Sequence, residues 1–139
     1  MSFKMHVEGE RFLSELLAGS DKKINGMYVE YGTELSDRDH AFYRRIENNK
    51  TSGYARIGIT DIFVDDDGVI RILGVLSTED IRGEKPTKPV KLTCVTLVHK
   101  QDDNPDNDTI VCTIKLSSPV KLVEGTYTSI HTSMRLVGA

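Results

Sequence analysis

Residues 53–76 read GYARIGITDIFV-DDDG-VIRILGVL, and this stretch carries the clearest structural signal in the chain. Two runs rich in apolar and β-branched residues, 53–64 and 69–76, flank the acidic segment that ends in Asp67-Gly68. Asp-Gly between two such runs is typical of a tight turn between antiparallel strands, because glycine adopts the positive φ angles that these turns need. The stretch therefore predicts a β-hairpin.

The same period of two extends along most of the chain. Further strands are predicted over 24–31, 90–100, 109–116, 120–123 and 127–137. The run 109–116 alternates most cleanly, with Ile110, Cys112, Ile114 and Leu116 on one face. The run 90–100 is apolar partly on both faces, which is typical of a central strand. Six or seven strands joined by turns predict a mainly β fold, an antiparallel β-sandwich or small barrel.

One short helix is predicted before the strands. In 8–18 the apolar residues Phe12, Leu13, Leu16 and Leu17 recur at helical spacing, and Gly19 follows as a C-terminal cap. A helix this short is not stable alone, so it must dock on the domain's own sheet or on a neighbouring subunit. We divide the chain into an N-terminal arm and helix, 1–23, and an antiparallel β domain, 24–139. We predict that 1–18 make subunit or particle contacts, and that their deletion leaves a folded β domain that no longer assembles or joins particles.

Composition excludes several classes of protein. The chain has 139 residues, 38% hydrophobic and 28% charged, which is neither a disordered nor a membrane composition. The net charge of −3 argues against a general nucleic-acid binder. The N-terminus lacks the apolar core of a secretory signal, so we expect synthesis in a reducing cytoplasm. Cys94 and Cys112 are predicted to be buried, reduced thiols, with a cross-strand disulfide as the alternative.

No catalytic, cofactor or metal site is predicted. The loop 102–108 places acidic and amide side chains at alternate positions, as at the start of a calcium loop. Asn107, however, stands where such a loop needs glycine, and Thr113 where it needs a bidentate glutamate. The shorter run 65–67 offers fewer ligands, so we expect neither loop to bind calcium. The histidines (His6, His40, His99 and His131) have no metal-ligand spacing, and phosphate-binding glycine loops are missing.

A basic and aromatic segment offers a second candidate for contacts. Arg44, Arg45 and Lys50 interleave with Phe42, Tyr43 and Tyr54, a mixture that can bind nucleic acid by stacking. Neighbouring acidic residues dilute the positive charge, so a solvated or interface segment is favoured over nucleic-acid binding. The predicted interface residues are Phe12, Leu13, Leu16, Leu17, Phe42, Tyr43 and Arg44.

Several patches resemble small structural proteins of tailed-bacteriophage virions. They are Lys23-Ile24-Asn25-Gly26-Met27-Tyr28-Val29-Glu30-Tyr31, Phe42-Tyr43-Arg44-Arg45, Tyr54-Ala55-Arg56-Ile57-Gly58-Ile59 and Ser129-Ile130-His131-Thr132-Ser133-Met134-Arg135-Leu136. Together with the alternating strands between them, the resemblance implies a virion component associated with tail, fibre or head. It implies no catalytic residues.

The expected function is therefore non-enzymatic. The resemblance implies assembly through subunit contacts, as a homo-oligomer and with other virion structural proteins, and localisation in the virion. Neither nucleic acid nor membrane is an expected partner, and no cofactor is expected. The alternative is a module that binds carbohydrate or a host surface through its loops.

Overall fold

The computed structural model describes residues 3–31, 43, 53–83, 90–122 and 127–135. The helix α1 spans Val7–Leu17 and follows the short strand β1, Phe3–Met5. The other strands are β2 (Gly26–Tyr31), β3 (Gly53–Gly58), β4 (Asp61–Val64), β5 (Ile70–Leu76), β6 (Ile81–Gly83), β7 (Val90–His99), β8 (Thr109–Leu122) and β9 (Thr128–Met134). Single 3-10 turns, Thr78–Asp80 and Pro105–Asn107, precede β6 and β8.

The described strands form two antiparallel sheets. The larger sheet has the order β1-β8-β7-β2-β3-β6, and the smaller has the order β4-β5-β9. The predicted fold class, mainly β with antiparallel sheets and one N-terminal helix, is confirmed. The described ranges contain nine strands instead of six or seven, because β1 and β6 have only three residues each and cannot show an alternating pattern. β7 is central, as predicted.

The main core lies between the two sheets and under the helix. The larger sheet contributes residues such as Met27, Val29, Ile57 and Leu97, and the smaller contributes Ile72, Leu76 and Ile130. The sheets approach closely at Gly74, where a Cβ atom would lie 2.9 Å from Ile57 Cδ1 and 3.0 Å from the Met27 sulfur. Glycine at this position is what permits the close packing.

The run predicted as one strand over 53–64 is divided between the sheets. β3 ends at Gly58 and β4 begins at Asp61, so the chain crosses from one sheet to the other over two residues. The crossing is visible in the hydrogen bonds, since the Ile59 N–H donates to the Asn25 carbonyl and the Thr60 N–H donates to the Leu73 carbonyl. The predicted hairpin itself is confirmed as β4–β5, with Gly68 at a φ of 78° in its turn.

Strand β8 differs in two ways from the prediction made from the sequence pattern. It continues to Leu122 and stays paired with β7, so 120–123 is not a separate edge strand. A register shift opposite Leu97 and Val98 breaks its alternation. Cys112 therefore packs in the main core, whereas Ile110 joins a second cluster with Tyr28, Tyr43, Tyr54 and Val98. An extra residue in one strand reverses which face the following side chains occupy.

The helix docks on its own chain. α1 packs against β8, and a Cβ atom at Gly9 would lie 2.0 Å from the Val111 carbonyl oxygen. Phe12 is 3% exposed and stacks on His99 with ring centroids 5.4 Å apart. The helix therefore docks on the sheet of its own domain, which is one of the two possibilities that the sequence pattern left open.

Candidate interaction surface

The most prominent exposed apolar feature is strand β4. Its residues Ile62, Phe63 and Val64 are 44%, 51% and 65% exposed. β4 lies at the edge of the smaller sheet and pairs with β5 alone among the described strands. An exposed apolar edge strand is a template for pairing with another chain. β4 also lacks the lysine, proline or bulge that commonly protects such edges.

The backbone of β4 presents hydrogen-bonding groups along this edge. The Asp65 N–H donates to the Val69 carbonyl at 2.9 Å, which marks Asp65 and Val69 as a hydrogen-bonded pair. Hydrogen-bonded and non-hydrogen-bonded pairs alternate along an antiparallel ladder. The N–H and C=O groups of Ile62 and Val64 therefore point away from β5. An added strand could use all four groups.

The outer face of the smaller sheet holds an open depression beside β4. Its volume is about 370 Å³. The residues around it include Asp61, Phe63, Arg71, Leu73, His131 and Ser133. Phe63 lies opposite Arg71, and Leu73 lies opposite both Asp61 and His131, so the depression crosses all three strands. The half-exposed ring of Phe63 thus shares this depression with charged, hydroxyl and apolar side chains.

Acidic residues lie at both ends of β4. Asp61 is its first residue, and Asp65, Asp66 and Asp67 follow its last. Asp65 accepts hydrogen bonds from the backbone of Val69 and Asp67 and from Arg71 Nε at 2.9 Å. These bonds, led by the Val69 N–H, lower the pKa of the Asp65 carboxyl. Arg71 offsets one of these four carboxylates, so the exposed edge is apolar at its centre and net negative at its ends.

The predicted interface residues of the helix have different positions. Phe12 belongs to the main core, and the partly buried Leu13 and Leu16 pack against it. Leu17 is 91% exposed. Burial of Phe12 within its own chain means that its side chain is not presented to a neighbour. The assignment of the helix to an interface stays a prediction, and Leu17 is the residue placed to make one.

The basic and aromatic segment lies mostly outside the described residues. Phe42 and Arg44 belong to that part, and Tyr43 is described. Tyr43 and Tyr54 are 3% and 1% exposed, and each packs on the ring of Tyr28. These rings are enclosed by their own chain, so Tyr43 is not a surface contact residue and neither ring is available for stacking on a base. The order of residues alone does not distinguish a surface aromatic from a buried one.

A buried ion pair lies beside these tyrosines. Arg56 Nε and Nη2 each donate to a different Asp108 carboxylate oxygen at 2.7 Å, and the Tyr28 hydroxyl donates to the same carboxylate. The bond to Asp108 raises the pKa of Arg56, while burial, followed by the Asp108 bond, raises that of Tyr28. Arg56 also donates to the carbonyls of Asp102 and Asp103. The pair therefore ties the acidic loop to β3 and closes the end of the larger sheet.

The acidic loop is further ordered by its own hydrogen bonds. Asp102 accepts from the backbone of Asn104 and from the Asn107 side chain, and Asn104 accepts from the Asp106 N–H. Among the described residues no group of three His, Cys, Asp or Glu side chains is arranged to hold a metal ion. The expectation that the loop does not bind calcium stays a prediction, which the melting temperature in millimolar calcium checks.

Both cysteines are buried, and His131 is exposed. Cys94 lies opposite Lys115 and Cys112 opposite Leu97, and both side chains are buried as thiols. The prediction of buried, reduced cysteines is confirmed. His131 is exposed on the outer face of the smaller sheet, as predicted from its parity.

Comparison with known proteins does not identify a relative. No protein-family model, curated protein or solved structure matches this chain. In the part of the chain that the structure describes, no helix is long and apolar enough to cross a membrane.

The sequence did not single out β4 as a contact surface. The sequence pattern places its apolar residues in a hairpin, which is correct, but alternation alone does not reveal that their side chains are exposed. The signal that could have marked it is the succession of three apolar residues between Asp61 and Asp65, because a half-buried strand would alternate polar and apolar residues.

Proposed function

We propose that this chain is a non-enzymatic structural component of a bacteriophage virion that acts in particle assembly through subunit contacts. It forms homo-oligomers and contacts other virion structural proteins, in tail or fibre attachment or in head decoration, and it uses no cofactor. The sequence patches described above supply the virion context.

The observation that carries the proposed contacts with other virion proteins is the exposed apolar edge of β4. A monomeric protein gains nothing from leaving three large apolar side chains in water at an open sheet edge, and such patches usually mark contact surfaces. Val75, 39% exposed, is another apolar residue of the neighbouring strand β5. A two-sheet scaffold with an exposed apolar edge at β4 suits a protein whose task is to hold neighbours in place.

Mass spectrometry of purified particles tests the proposal directly. The chain is expected among the virion proteins at a constant stoichiometry that survives repeated gradient purification. A substitution that places charge in the apolar edge, Phe63→Glu, should reduce this incorporation, whereas the exposed helix substitution Glu10→Gln should not. Absence of the wild-type chain from the particles would contradict the proposal.

The depression on the outer face supports a second candidate, a host-surface or carbohydrate-binding module. Phe63 offers a half-exposed ring, and Asp61 and Arg71 offer hydrogen-bonding groups beside it. An aromatic ring beside a few polar groups is typical of small-molecule sites. A glycan panel separates the two functions. Specific glycan binding that is lost in Phe63→Ala would favour the module, and absence of binding would favour the assembly role.

A further inference from the structure

The open edge of β4 dictates what kind of segment can pair with it. The backbone groups of Ile62 and Val64 point away from β5, so a fourth strand would form four main-chain hydrogen bonds at this edge. Main-chain pairing of this kind binds extended peptides, and the alternate side chains provide the specificity.

Strand alternation then assigns a neighbour to each side chain. A residue opposite Phe63 would lie on the outer face beside its ring, and residues opposite Ile62 and Val64 would lie on the other face. Those three positions favour apolar residues, because cross-strand apolar pairs stabilise a sheet. The positions opposite Asp61 and Asp65 lie two residues away on either side, where a basic residue would meet a carboxylate.

The charges disfavour a second copy of this chain at the edge. In a twofold antiparallel pair that uses all four backbone groups, Ile62 lies opposite Val64 of the second copy. Phe63 then lies opposite its own equivalent, and Asp61 lies opposite Asp65, twice in each dimer. Like charges directly opposite one another destabilise a sheet. Arg71 offsets the charge of Asp65, but the exposed carboxylates of Asp66 and Asp67 keep each edge net negative.

We infer that β4 binds an extended segment of another protein in which three apolar residues lie between two basic residues. The partner segment becomes the fourth strand of the smaller sheet. The inference rests on the proposed function, since it names the partner chemistry of the same surface. The required pattern reads the same in both directions, so it suits parallel as well as antiparallel addition.

Two synthetic peptides test the inference against the full-length chain. One is acetyl-Ser-Lys-Val-Phe-Val-Lys-Ser-amide, and the control replaces both lysines by glutamates. The backbone amide resonances of Ile62 and Val64 should shift with the first peptide, and their hydrogen exchange should slow. Because two cross-strand pairs change from opposite to like charges, the lysine peptide should bind about tenfold more tightly at low salt. That difference should shrink at about 0.5 M salt.

Two pairs of variants separate backbone pairing from charge. Val64→Pro removes an N–H that points away from β5, so it should abolish peptide binding. The NMR spectrum should stay dispersed, as expected of a folded chain. Val64→Ala retains the N–H and should retain binding. Asp61→Lys should reduce the preference for the lysine peptide. Asp21→Lys makes the same change in net charge at an exposed residue that is distant from β4 in the sequence. It should leave the preference for the lysine peptide unchanged.

Several results would overturn the inference. They are equal binding of the two peptides, binding that survives Val64→Pro, or amide shifts located away from β4. A wild-type dimer in sedimentation equilibrium that Val64→Pro dissociates would assign the edge to a second copy instead. Particle composition distinguishes failure of the proposed partner chemistry from failure of the proposed virion role. Wild-type chain present in particles but unable to bind the peptides refutes only the partner chemistry, whereas peptide binding by a chain absent from particles refutes only the virion role.

Discussion

Replacement of Phe12 by alanine tests whether the N-terminal helix belongs to the fold. Phe12 is 3% exposed and packs in the main core against the ring of His99. Truncation of a buried phenylalanine to alanine costs about 3–5 kcal/mol through lost burial and the cavity that remains. Alanine favours the helical backbone by about 0.5 kcal/mol, which offsets a small part of this cost. We therefore expect Phe12→Ala to lower the free energy of unfolding by about 3 kcal/mol.

The assay is urea unfolding followed by circular dichroism. With an m-value of about 2 kcal/mol/M, a loss of about 3 kcal/mol moves the midpoint down by about 1.5 M. Leu17→Ala is the matched control on the same helix, because Leu17 is 91% exposed. It should change the free energy of unfolding by less than about 0.5 kcal/mol. In contrast to the sequence-based expectation of a folded β domain, deletion of 1–18 should destabilise the remaining chain, because it removes β1 and Phe12 and uncovers β8.

A cost below about 1 kcal/mol for Phe12→Ala, at an unchanged m-value, would refute the reasoning that the helix is integral to the core. A loss of particle incorporation in Leu17→Ala without loss of stability would instead identify the exposed end of the helix as a contact surface. The two measurements together separate folding from assembly.

The buried groups give four further predictions. Asp108→Ala should cost about 3–5 kcal/mol in urea unfolding, because it leaves a buried guanidinium without its carboxylate, and a cost under about 1 kcal/mol would contradict this. Gly9→Ala should lower the melting temperature although alanine is the better helix former, because its Cβ would meet the Val111 carbonyl oxygen; an unchanged or higher value would show that the helix moves freely. In the native protein Cys94 and Cys112 should react with iodoacetamide far more slowly than in urea. Burial raises the pKa of Cys112 from 9.0 to about 12. The buried neutral thiol therefore stabilises the folded state below pH 9, and this contribution is lost as the pH rises toward 12. Cys112→Ala should weaken that loss.

The elements themselves are largely determined by local sequence. Asp67-Gly68 specifies the β4–β5 turn because glycine adopts the positive φ that the turn needs, and the spacing of Phe12 and Leu16 specifies a helix. These signals involve only a few neighbouring residues, so no tertiary contact is needed to recognise them. The exceptions are β1 and β6, which have too few residues to form a pattern and exist because a neighbouring strand pairs with them.

Only the tertiary structure decided which of these faces are covered. Alternation separates the two faces of a strand, but burial depends on elements that are distant in sequence. Leu13 and Leu17 lie one turn apart on the same face of the helix, yet Leu13 packs against the main core and Leu17 lies in solvent. The pairing of Arg56 with Asp108 joins residues 52 positions apart, and β4 is a candidate interaction surface because the smaller sheet ends there. The contact surface is thus a property of sheet order, which local periodicity does not contain.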